Sequence, residues 1–320
     1  MAAGLCVALL GACGGEADAP STADATRDAS AQASAASPVA TARLFVPDIG
    51  RAALAAVATL DPTPGAALGG VVPATAASTG NNVQVDAARD ELYVIAGRSV
   101  NVYAGASTLG AAARPARSFT IPAGLRSPRT LFFDGANDVL YVGGDSGDGA
   151  GQIVAWSAAH AVRGSAAAPE RTLAIAGGVA FFTIDAARQR LYVVNALSGV
   201  QVFADVGTAD GAVQPATTIP VLGTGLAVDA TRDRLYVADA FVGLLLVDQA
   251  STAAPVLSAT LSIDDARFVA VDAADDKVYV SALGKLYAID NASALTPATT
   301  LAAPAFARSS RSVFGAVATR

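Results

Sequence analysis

LAVDATRDRLYV (226–237) decides the fold, because the chain writes it five times. The other copies are VQVDAARDELYV (83–94), LFFDGANDVLYV (131–142), FTIDAARQRLYV (182–193) and VAVDAADDKVYV (269–280). A sixth, partial copy is ARLFV, ending at Val46. The aromatic anchors are Phe45, Tyr93, Tyr141, Tyr192, Tyr236 and Tyr279, spaced by 48, 48, 51, 44 and 43 residues. Strand-forming residues repeated at that period are the signature of four-stranded propeller blades.

Each unit parses into four strands. The first is apolar and ends in Asp, a polar turn such as AARD follows, and LYV opens the second. The third carries Val with an aromatic, as in SVNVYA, QIVAW and VQVFA. The fourth is expected just after Pro115, Pro169, Pro215 and Pro297, because proline donates nothing to a ladder and suits the outer edge. The repeated acids Asp86, Asp134, Asp185, Asp229 and Asp272 are expected to bond the N–H groups of the turn they open. Unit 1 lacks a first strand: ARLFV reads as its second, AALAAVATL as its third and GAALGGVVPA as its fourth. The segment from Arg311 to Val317 would supply the missing one, with Gly315 where other units have Asp. This gives an all-β fold over 43–320: a six-bladed propeller closed by a C-terminal strand that joins blade 1.

Composition agrees. Of 320 residues, 53% are apolar and 15% charged, with a mean hydropathy of +0.46, so a large core is available and disorder of the whole chain is excluded. No run of about 18 apolar residues provides a membrane-spanning helix. Blades sandwiched between neighbours explain the hydropathy instead. A net charge of −6 argues against a nucleic-acid partner, and a monomer is expected.

The N-terminal residues read as an address. Both cysteines, Cys6 and Cys13, lie there, and no disulfide can staple the repeats. Residues 1–12 read as a signal peptide truncated at its N-terminal side, since the usual basic start is missing and no Lys or Arg precedes Arg27. Leu10-Gly11-Ala12-Cys13 resembles the lipobox of bacterial lipoproteins, which implies lipidation at Cys13 and an exported protein anchored in the envelope, facing the periplasm or in the outer membrane. From Cys13 to Ala42 the chain is mostly Ala, Ser, Thr, Asp and Gly with almost no large apolar side chain, a tether spanning roughly 30 Å.

The repeats resemble those of NHL, YVTN and LVIVD propellers, on LYVVNALSGVQVF and LYVADAFVGLLLVD over about 43–320. That resemblance implies a binding scaffold with a protein or small polar ligand at the propeller mouth. The turns between second and third strands and the blade-to-blade links share one face. That rim is expected to collect Asp48, Asn82, Asp145, Asn195 and Asp239, with Arg129 and Arg308. Asp148, Arg126, Arg267 and Arg311 fall on the same face.

The alternative is a metal-dependent hydrolase, since six-bladed propellers include lactonases similar to gluconolactonase and paraoxonase, with a cation held by Glu, Asn and Asp. Here the only glutamates are Glu16, Glu91 and Glu170, all expected away from the mouth. His160, the single histidine, falls in a third-to-fourth-strand connection on the opposite face and reads as a solvated loop residue. No catalytic residue, no metal site and no cofactor is therefore expected. Calcium is weakly suggested by Asp145 and Asp148 in GGDSGDGAGQ, though no further carboxylate follows.

Overall fold

The computed structural model describes residues 44–48, 53–57, 69–73, 83–110, 112–147, 149–165, 167–195, 198–304, 306–307 and 317–318. They form an all-β propeller, in which units 2 to 6 each fold as one antiparallel blade. Blade 2 is Val83–Asp86, Glu91–Ala96, Ser99–Ala104 and Arg117–Thr120. Blade 5 is Gly225–Asp229, Arg234–Asp239, Gly243–Asp248 and Val256–Leu261. Blades 3, 4 and 6 begin with Ser127–Asp134, Phe181–Asp185 and Ala266–Asp272. The inner strands follow one another around an axis, each against the next.

Five blades, where the repeat arithmetic gave six, are described in full. A further sheet joins Val317–Ala318, Leu44–Asp48, Ala53–Val57 and Gly69–Pro73 in that order. Its N-terminal strands overlap the three stretches assigned to unit 1, the first running on to Asp48, but the register of the C-terminal piece differs from expectation. In blade 2 the residue two before the Asp faces the tyrosine, Gln84 opposite Tyr93. Phe45 faces Val317, not Val313, so the terminal segment pairs four residues later than an Asp-like Gly315 would place it. The alternating small and apolar side chains of this segment fit either register.

Three of the four expected prolines precede an outer strand directly: Arg117–Thr120, Arg171–Ile175 and Thr217–Ile219 follow Pro115, Pro169 and Pro215. Pro297 does not. The outer strand of blade 6 is Phe306–Ala307, and Pro297 lies in a turn well before it. Pro255 introduces the outer strand of blade 5 in the same way.

The core lies between blades. All five repeated tyrosines are buried, each contributing about 1.5–3 kcal/mol through its apolar area. Tyr93 stacks on Phe133 of the next blade with ring centroids 5.1 Å apart, and Phe119 meets Trp156 edge-on at 5.2 Å. Phe181–Asp185 is buried at every position, as expected for an inner strand covered on both faces. Blade edges are also stitched. Gly164, from the connection inside blade 3, bonds Ser118 and Thr120 of the outer strand of blade 2. Gly211–Ala212 of blade 4 pairs in parallel with Leu173 and Ala174 of blade 3.

Candidate functional site

The ends of the channel are built differently. At one end lie the hairpins that join first to second strands. Here each repeated Asp accepts N–H groups of its own turn, from Arg89 to Asp86 at 3.1 Å, Arg188 to Asp185 at 3.0 Å and Arg232 to Asp229 at 3.2 Å. The turn arginine then pairs with the same carboxylate, at 2.7, 2.9 and 2.6 Å. It also reaches the next blade: Arg89 to Asp138, Arg188 to the Ala230 carbonyl, Arg232 to Asp276. Blades 3 and 6 carry Asn137 and Asp275 in that position, and Asn137 closes back on Asp134 at 2.8 Å. The repeated acids are thus turn braces, as expected.

A second brace uses the residue closing each turn. Asp90, Asp138, Asp233 and Asp276 adopt positive φ near 53°, which a short polar side chain tolerates. Their carboxylates accept from the backbone N–H of Ser107, His160, Ser251 and Ser293, in the connection after the third strand. His160 therefore occupies a serine position. Its ring Nδ1 also bonds Asp138, so it is a half-exposed braced residue and not a free loop side chain. Glu91 is likewise engaged: Arg117 binds it at 2.8 Å and lies over the Tyr93 ring, 5.5 Å from its centre.

Inside these hairpins lies a cavity of about 1000 Å³, open at the hairpin end of the channel. The residue after each repeated Asp lines it: Ala87, Gly135, Ala186, Ala230 and Ala273. All five are small, and a larger side chain there would narrow the opening. Deeper, the wall is Phe132, Phe181, Phe182, Val228 and Val271, with Gln84 and Thr183 as polar interruptions. This cavity faces away from the expected rim. Its signal in the sequence is the unbroken Ala or Gly after each Asp.

At the other end the expected rim residues that are described bond locally. Arg129 pairs with Asp145 at 2.8 Å. Asn195 is buried and donates to the Ala176 carbonyl at 3.2 Å. Asp239 is only 6% exposed and accepts the N–H groups of Phe241 and Val242 at 2.7 and 2.8 Å. Arg267 pairs with Asp265 at 2.5 Å, within one link. Asn82, Asp148, Arg308 and Arg311 lie outside the described residues, as do Cys13 and the side chain of Asp48. Among the described residues no three His, Cys, Asp or Glu side chains gather as metal ligands would.

What this end does present is apolar. The Asp239 turn holds Phe241 96% exposed, beside half-exposed Val242. Its Ala240 carbonyl accepts from Asp265 N–H, in the link to blade 6. That link and Leu283, also exposed, border a small pocket of about 180 Å³. Leu222, exposed, precedes the inner strand of blade 5 on the same side.

No protein-family model matches the chain, and no curated protein matches it. Solved structures do. One chain of a crystal structure of a nidogen/laminin complex aligns with a TM-score of 0.57 at 14% identity, over 87% of this chain and 98% of that one. The WD40 β-propeller domain of Doa1 aligns with a TM-score of 0.44 at 12% identity, over 66% of this chain and 65% of that one. At such identities the likeness concerns fold alone.

Proposed function

We propose that this protein is a cell-envelope lipoprotein whose propeller is a non-catalytic scaffold, docking a protein partner at the face that carries Phe241. One observation carries the reading. Asp239 fixes a tight turn and so holds a large aromatic almost fully out in solvent. Leaving such a side chain uncovered gains nothing for the fold, and rigid aromatics are what interface centres use. Of the polar residues expected on that face, Arg129, Asp145, Asn195, Asp239 and Arg267 are bonded to their own turns and neighbours, which favours an apolar contact over an ionic one. Nucleic acid is not the partner on grounds of charge, and the free state is a monomer.

The propeller is taken to be of the NHL and YVTN kind with six blades, the terminal sheet being the sixth. Pairing of Phe45 with Val317 supports this, as does the position of Val317–Ala318 beside both Val83–Asp86 and Ala266–Asp272. The anchor is Cys13, on the strength of Leu10-Gly11-Ala12-Cys13 and the tether after it.

The scaffold reading is tested by photo-crosslinking in cells expressing the full chain. A crosslinking side chain substituted at Phe241 should capture one protein reproducibly, and the same side chain at Ala88, on the opposite face, should not capture it. Equal capture from both positions, or none from Phe241, rejects the reading. The anchor is tested separately by fatty-acid labelling, which Cys13→Ser should abolish.

A further inference from the structure

We infer that the cavity at the hairpin end of the channel binds an uncharged, largely apolar small molecule that carries a hydrogen-bonding group. Its volume of about 1000 Å³ is at the upper end of ligand sites. The argument begins with what repeats and what does not. In all five blades the brace Asp and the buried Tyr are constant. The inner-strand residue opposite that Tyr is Gln84, Phe132, Thr183, Ala227 and Ala270 in turn. All five line the cavity. A position serving the fold alone would repeat as its neighbours do; this one gives the wall an aromatic and polar side facing a side of small residues.

The opening obeys the contrary rule. The residue after each Asp is always Ala or Gly, so access is kept in every blade.

Charge selects the ligand class. Arg89, Arg188 and Arg232 turn to their own aspartates and to the next blade, and none of the three lines the cavity. Asp134 and Asp272, which do line it, are buried; Asp134 accepts from Ala136 N–H, Asn137 N–H and the Asn137 amide at 2.8–3.2 Å, and Asp272 accepts from Asp275 N–H at 3.2 Å. Among the described residues, an anion would meet no guanidinium there. A cation would compete with those donors. A neutral body with one donor or acceptor has apolar walls to cover it, and the Thr183 hydroxyl for its polar group.

The test is titration of the full chain with N-phenyl-1-naphthylamine, a neutral apolar fluorophore, beside the anionic 1-anilinonaphthalene-8-sulfonate. Saturable binding of the neutral probe that raises the melting temperature is expected, with at least tenfold weaker binding of the anionic one. The double variant Ala87→Phe/Ala273→Phe fills the opening at two positions that are at least partly exposed and have no positive φ. It should weaken the neutral probe at least tenfold. Phe241→Ser should leave it unchanged, which separates this site from the docking face. Absence of saturable binding, equal affinity for both probes, unchanged affinity in the double variant, or loss in Phe241→Ser overturns the inference. Should Trp156 emission show the double variant unfolded, Phe132→Ala takes its place. Its half-exposed ring lines the wall, and affinity should fall at least threefold; unchanged affinity overturns the inference.

Discussion

The hairpin end and the opposite end of the same strands obey different rules. At the hairpin end the five blades repeat one solution: Asp, a small residue, an arginine in three of five turns, and a closing residue at positive φ. At the opposite end the turns share no single form, though blades 4 and 5 both run from an Asn or Asp to a Gly, Asn195 to Gly199 and Asp239 to Gly243. Blade 2 has Gly97-Arg98, blade 5 has Asp239 to Gly243 presenting Phe241, and blade 6 has Leu283-Gly284. Repetition marks what the fold requires of every blade. Variation marks where the fold leaves residues free for binding. Acid-rich turns drew attention to the varied end, yet Asp145, Asp239 and Asp265 are engaged locally, and its most exposed large apolar side chain among the described residues is Phe241.

Breaking the repeated end should produce the largest effect. Asp185 is 0% exposed and accepts from Arg188 through both backbone and guanidinium. Asp185→Ala leaves those donors without their acceptor, a loss of about 2–3 kcal/mol, or roughly 5–10 °C in melting temperature at 2–4 °C per kcal/mol. Calorimetry checks it; a shift under about 1 °C would remove the brace from the account.

Acid should weaken the same end in a defined direction. Burial pulls the Asp229 carboxyl upward, but bonds from the Thr231 hydroxyl and from Arg232 outweigh it and hold the group below its ordinary 3.8. A depressed folded value stabilises the fold above the unfolded value, and that stability is lost as pH falls through the folded one. Asp229→Asn should therefore melt lower than wild type at pH 7, with the gap closing once pH drops below 3.8. A gap that does not narrow at all as pH falls below 3.8 would mean that geometry and not charge is at work.

The varied end should respond in binding before stability. Asp239→Ala removes the acceptor of two turn N–H groups, worth about 1 kcal/mol, so melting falls a few degrees while crosslinking from position 241 drops sharply. Phe241→Ser should leave the melting temperature within about 1 °C, since its ring covers nothing. The smallest effect is expected for His160→Ser, which restores the residue found at that brace in blades 2, 5 and 6; denaturation should move by less than about 0.5 kcal/mol.

Much of this was legible in the residues. The Asp–turn–LYV unit predicts strand order, buried tyrosines and the brace role of the acids, because those demands recur in every copy. The terminal register was not legible: Val313 and Val317 are equally apolar, and only the partner of Phe45 distinguishes them. The role of the rim acids was not legible because an aspartate that braces a turn and one that holds a ligand are the same residue in a loop, and only the 2.7 Å bond from Phe241 N–H tells Asp239 apart. The cavity mouth was written in Ala87, Gly135, Ala186, Ala230 and Ala273. Small residues in a turn attract no notice until their side of the strand is known to face the axis.

The stitches at the blade edges have a consequence for how the protein is made. Gly164 covers the outer strand of blade 2, and Gly211–Ala212 covers that of blade 3, so each cover comes from the next blade along the chain. A ribosome releases the N-terminal blade first. For the time needed to add some 45 residues, each of these newly formed outer strands has unpaired N–H and C=O groups open to neighbouring nascent chains. The interval of greatest exposure thus moves along the polypeptide with synthesis. A pause after blade 2 or blade 3 would leave one sticky edge waiting for a cover still being translated.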